Sequence, residues 1–269
     1  MLPPWHVHVD VWLVIGSLGV AYWYLGARVL PPLKPAAASP TKREQTLFYS
    51  GLLLLLIVSN WPLHDLAEES LYSVHMTNHL VMTLVVPPLL LLGLNRQMAD
   101  QLFGHRLVLP WLRYLGRPAA AFGIFNVGMV ASHWPDAVAL SLRNELAHFL
   151  IHSFLFLSGI LMWIPVVSRS TLVPRLRPPT RMVYLFLSSI LPTFPASFLT
   201  FSQIPIYPAY GDAALAFGLT AVEDQTIAGL IMKLGGTLLL WAVLAITWFK
   251  WAKDEKRWDQ IEQDLRTPA

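Results

Sequence analysis

The residues with the most chemistry to offer are histidines in pairs. His75 and His79 stand four apart in SVHMTNH, and His148 and His152 repeat that spacing in HFLIH. On a helix, positions i and i+4 lie one turn apart on one face, so each pair can present two imidazoles to a common ion. Neutral imidazole suits copper, iron and zinc, and thioether sulfur favours Cu(I). The chain has no cysteine, so any transition metal would be held by histidine, methionine or carboxylate, of which there are nine His and eight Met. The same absence removes disulfides, thiolate sites and iron–sulfur clusters.

The elements that must position these residues are membrane helices. The chain is 55% hydrophobic and 13% charged, with a mean hydropathy of +0.52, which is the balance of a polytopic membrane protein. The expected fold is all-α: a single bundle of seven transmembrane helices. Its spans fall near residues 11–29, 47–66, 71–94, 118–138, 145–167, 182–202 and 224–249. MLPPWHVHVD lacks the basic segment of a cleaved signal peptide, so the first span reads as retained. Pro87-Pro88 is expected to interrupt span three, and Pro192 and Pro195 to interrupt span six. Residues 250–269 read as a charged, amphipathic cytoplasmic tail lying on the membrane surface, with Trp251, Trp258 and Leu265 at seven-residue steps.

Charge sets the expected orientation. Of the 19 Lys and Arg, all but Arg143 and Lys233 fall in the tail or in the loops after spans one, three and five. The positive-inside rule then puts the N-terminus outside and the C-terminus in the cytoplasm. The net charge of +3 thus has a topological origin, and no nucleic-acid motif accompanies it. With this orientation every histidine but His105 lies at or near the outer face.

A metal site is therefore expected between spans three and five, from His75, His79, His148 and His152, with His133 from the end of span four. Met76, His64, Asp65, Asp224, Gln225, Met232 and Lys233 are candidate further ligands or supporting groups. The plainer reading of His6, His8 and His64 is that they cap helices or bond carbonyls. Met82, Met129, Met162 and Met232 read first as core packing. Gly159, Gly229 and Gly236 share stripes that would let helices approach closely. Lys233 within the last span suggests a retinal Schiff base, but no acid lies between His75 and Gly93 to serve as counter-ion. Pairing with Asp65 or Asp224, or with a backbone carbonyl, is the expected role.

The motifs PLHD (62–65), SVHMTNH (73–79), PPLLLLG (87–93), HWP (133–135), HFLIH (148–152), GILMW (159–163), YPAY (207–210) and EDQTIAGLIM (223–232) run in order through most of the chain. As a set they resemble the seven-span CtaG-type cytochrome c oxidase assembly factors of bacteria. Members often carry glutamine where Asn78 stands, and HLP where this chain has HWP. The resemblance implies a non-enzymatic role in maturing a respiratory heme–copper oxidase in the bacterial inner membrane. Oxidase subunits would be its partners, with other copper-handling proteins and membrane lipid beside them. That the cargo is copper is an inference from the outward histidines and the absence of thiols. The alternative is a membrane oxidoreductase whose heme, or other metal, is held by the same histidines. A copper transporter would need ligands continued to the inner face, and the absence of an internal repeat also counts against transport.

Overall fold

In the computed structural model, residues 3–29, 39–211 and 213–266 are described. Among them all regular structure is helical. The sequence-stretch 31–35, with Pro31, Pro32, Lys34 and Pro35 of the first basic loop, lies outside the described residues, as do Asp212 and residues 267–269. Helix α1 is Val9–Val29, α2 Lys42–Val58, α3 Leu63–Glu69 and α4 Tyr72–Gly93. Two short helices follow, α5 Arg96–Phe103 and α6 Leu109–Leu115, and then α7 Pro118–Ser132 and α8 Pro135–Arg143. The chain closes with α9 Glu145–Val167, α10 Pro178–Phe201 and α11 Ala221–Arg266.

Five of these helices (α1, α4, α9, α10 and α11) are long and apolar enough to cross a membrane. The α2–α3 pair, bent by 41°, makes a sixth if it is one span. Helix α7, at 15 residues, is shorter. The span expected over 118–138 stops at Ser132, because Trp134 precedes Pro135 and takes an extended conformation from which α8 starts anew. The tail is also different from expectation. Residues 250–266 continue α11 without a break, so they form no separate helix on a surface.

Helix α4 is the centre of the bundle. Its apolar window is 56% buried, against 11% for α1, which packs at the periphery. Helix α2 packs on the Val86–Gly93 half of α4, α9 runs along its middle, and the first turns of α11 pack on Tyr72–Leu80. Pro87 and Pro88 do not break α4. Each lacks an N–H, and a wide turn at Val81–Val85 absorbs the loss, with the Val86 N–H donating to the Val81 carbonyl five residues back. The Thr83 carbonyl, which Pro87 cannot serve, faces Gly159 of α9. A Cβ at Gly159 would lie 2.9 Å from that oxygen, so only glycine lets α9 come this close. Gly229 does the same for α11 against α10, where a Cβ would lie 2.8 Å from the Ala196 carbonyl. Gly236, by contrast, has ordinary room around it. Helix α10 breaks at Leu191–Pro192, while Pro195 sits in the first turn of the Thr193–Phe201 segment.

Candidate functional site

Both histidine pairs sit in the first turns of their helices. The N-terminus of α9 is fixed by Asn144, whose side chain accepts the Ala147 N–H at 2.9 Å. The N-terminus of α4 is fixed from 152 residues away by Asp224. One of its carboxylate oxygens accepts the Tyr72 N–H at 2.7 Å. The other accepts the Ser73 N–H at 3.2 Å and the Ser73 hydroxyl. Negative charge at a helix N-terminus is favourable, and here the carboxylate is buried and fully occupied. Asp224 therefore holds the helix that carries His75 and His79.

Packing α9 on α4 brings the two pairs together. His79 Nε2 and His152 Nε2 stand 3.3 Å apart, and the ligand nitrogens of His75, His79 and His152 all lie within 4.8 Å of one another. Within each pair the rings lie against each other, with centroids 4.3 Å apart for His75–His79 and 4.0 Å for His148–His152. Two nitrogens bound to one tetrahedral ion at about 2.0–2.1 Å stand about 3.3–3.4 Å from each other. The His79–His152 separation matches that edge. Without an ion, the two facing nitrogens can satisfy only one hydrogen bond between them.

His133 closes the inner side. Its Nδ1 donates to the Met129 carbonyl at 2.6 Å, leaving Nε2 as the lone-pair nitrogen, and its ring centroid is 5.7 Å from that of His79. It is not part of the close triad. His148 is drawn outward instead, with Nδ1 3.1 Å from both the Ser141 hydroxyl and Glu68 Oε2. A cavity of about 60 Å³ lies beneath the triad, bordered by Met76, Met129, His133, Ser188 and Met232. Met76 and Met232 thus face the site's underside while also packing in the core.

Other sequence candidates take supporting places. Asp65 Oδ1 bonds His8 Nε2 at 2.9 Å. Gln225 accepts the Ile206 N–H at 2.6 Å and donates to the Leu199 carbonyl at 3.3 Å, which ties the 202–220 loop to α11. From that loop Tyr207 donates to the His133 carbonyl at 2.8 Å and Tyr210 to the Ala67 carbonyl at 3.0 Å. Lys233 pairs with neither Asp65 nor Asp224; both Asp224 oxygens are taken by the start of α4. Its ammonium lies over the Phe201 ring, 5.5 Å from the centroid. Glu68, not among the candidates the sequence offers, lies against both His75 and His148. Its spacing from His64, four residues on α3, was the available signal.

A membrane bundle with imidazoles from separate helices converging near one end defines a polytopic α-helical protein built around a buried histidine cluster. The chain belongs to the Caa3_CtaG family, the cytochrome c oxidase caa3 assembly factors, which it matches over residues 20–254. An assembly role of that kind engages oxidase subunits. Comparisons with curated proteins and with solved structures gave no match.

Proposed function

We propose that this protein is a non-enzymatic assembly factor that holds copper as cargo at His75, His79 and His152 and passes it to the oxidase. The observation that carries the reading is the 3.3 Å approach of His79 Nε2 to His152 Nε2 from two different helices, with His75 beside them. Three neutral imidazoles and no thiol make a set that copper occupies well. The ligands come from α4 and α9, so a small relative movement of the two helices would open the set for release. His133 stands behind as a fourth imidazole able to take up the ion from the inner side. The close approach supports an ion over a heme, because two axial imidazoles must stand on opposite faces of a porphyrin. The seven-span arrangement with the histidines outward, in the bacterial inner membrane, belongs to the same proposal.

The test is metal analysis of the purified protein together with its visible absorption spectrum. Copper without a Soret band is the expected result. A Soret band, or no copper retained after loading, overturns the reading.

A further inference from the structure

The triad that holds the proposed cargo leaves a second group of ligands unused. His64, Glu68 and His148 stand beside it, with one ligand atom from each lying within 4.8 Å of the others. They come from two elements. His64 and Glu68 are one turn apart on α3, and His148 is on the first turn of α9. Glu68 Oε2 lies 3.1 Å from His148 Nδ1. Glu68 Oε1 is 3.4 Å from His75 Nδ1, makes no hydrogen bond and is buried. A buried carboxylate oxygen whose nearest donor stands at ion-pair distance and makes no hydrogen bond is costly, and such groups in native proteins usually serve something. His64 makes no side-chain hydrogen bond among the described residues. Its ring meets those of His8 and His148 edge-on, at 4.8 and 5.3 Å between centroids.

Two features separate this group from a hydrogen-bond network that merely braces the inner histidines. First, His64 braces nothing: it bonds neither Glu68 nor any inner residue. Second, the two groups share no ligand. Stacked His148 and His152 belong one to each, and Glu68 reaches toward both. Resting on the reading that the inner triad holds copper, we propose that His64, Glu68 and His148 form a second cation seat, adjoining the first. Two imidazoles and a carboxylate are a borderline, anionic set, suited to a divalent ion such as Cu(II) or Zn(II). The inner seat is all imidazole and carries no charge of its own. An ion held by the outer seat would neutralise Glu68, whose Oε1 otherwise makes no hydrogen bond and only an ion-pair contact with His75. The protein would then carry two ions per chain, in neighbouring seats of different chemistry.

The experiment counts copper in the full-length protein, purified in detergent, stripped with chelator and dialysed against copper(II) sulfate. The expected result is two copper ions per chain in the wild type. His64→Ala and Glu68→Gln should each hold one. Electron paramagnetic resonance of the wild type should show a spin-coupled half-field signal that both variants lack. A wild type that binds one ion, lost in the His75→Ala/His79→Ala variant, overturns the second seat and leaves the inner one standing. A wild type that binds none overturns both. If His64→Ala keeps two ions while Glu68→Gln loses copper, Glu68 only positions His75 and the second seat is wrong. Copper that survives His75→Ala/His79→Ala in full instead removes the inner reading.

Discussion

At the scale of single residues, the histidine cluster depends on groups that lie outside it. Asp224 is buried, 3% exposed, and both its oxygens are taken by the first turn of α4. Replacing it with alanine strands two backbone N–H groups in a buried place, at a cost of about 1–3 kcal/mol. His75 lies in the next turn, so Asp224→Ala should also weaken copper binding by on the order of tenfold, the low end for loss of a ligand-orienting partner. A thermal melt and a copper titration in detergent measure the two effects together. A melt that shifts while affinity stays unchanged would separate helix capping from site geometry. A carboxylate on the opposite side of the bundle illustrates pH dependence. Asp100, on the short helix α5, accepts from the Ser170 hydroxyl at 2.6 Å, the Thr171 N–H at 2.8 Å and the Thr171 hydroxyl at 2.9 Å. Partial burial raises its carboxyl pKa, but these hydrogen bonds outweigh that and hold it below the usual aspartate value. The stabilisation is therefore present above the ordinary pKa of about 3.9 and is lost as pH falls through the lowered folded value. Asp100→Asn should loosen the 168–173 loop at neutral pH, read as faster limited proteolysis there with the copper count unchanged.

At the scale of helices, the site is a consequence of how closely α9 approaches α4. Gly159→Val is the direct test. Its side chain would run into the Thr83 carbonyl, 2.9 Å from an added Cβ, and the helices must part. Overpacking of this kind costs about 1–3 kcal/mol. Gly159 lies seven residues beyond His152, so the wedge should also separate His152 from His79 and abolish copper retention by the inner triad without removing any ligand. Helix content by circular dichroism should stay as in the wild type; retained copper at full stoichiometry would mean the site does not depend on this approach. Much of this level could be read from the chain. The i, i+4 histidine pairs and the close-approach glycines Gly159 and Gly229 follow from local periodicity, and the helices reproduce them. What could not be read is what depends on contacts between distant segments. Asp224 reads in the sequence as either a further ligand or a supporting group, and only its partners 152 residues away give it the place of a helix cap. Pro87-Pro88 suggested a break because the compensating wide turn at Val81–Val85 has no sequence marker of its own. Glu68 gained its place beside His148 only because α3, bent by 41° from α2, packs on the first turns of α4.

At the scale of the whole molecule, two expectations are open to experiment, topology and traffic. Lys and Arg fall almost wholly in the tail and in the loops after the first, third and fifth expected spans, so the positive-inside rule expects those loops in the cytoplasm. Reporter fusions after Arg43, Arg117 and Arg177 should all report cytoplasm. One loop found outside would invert the side on which the histidines open. If they do open outward, the functional consequence follows from metal chemistry. Copper binds most nitrogen and sulfur ligands more tightly than other divalent metals, so correct loading of an oxidase needs a carrier that keeps the ion from competing sites and then releases it. Ligands on separate helices meet both demands, because each imidazole is fixed by its own helix while the set opens when the helices shift. A cell lacking the protein should therefore make and insert oxidase subunits that lack copper and activity. His75→Ala/His79→Ala should reproduce that loss while the protein still accumulates in the membrane, since the packed helices do not depend on these imidazoles. Copper and heme measured in the oxidase purified from that strain decide the matter. Copper-free oxidase with its heme retained is the expected outcome. A copper-loaded, active enzyme would end the donor reading, and loss of heme alone would move the protein to a different step of maturation.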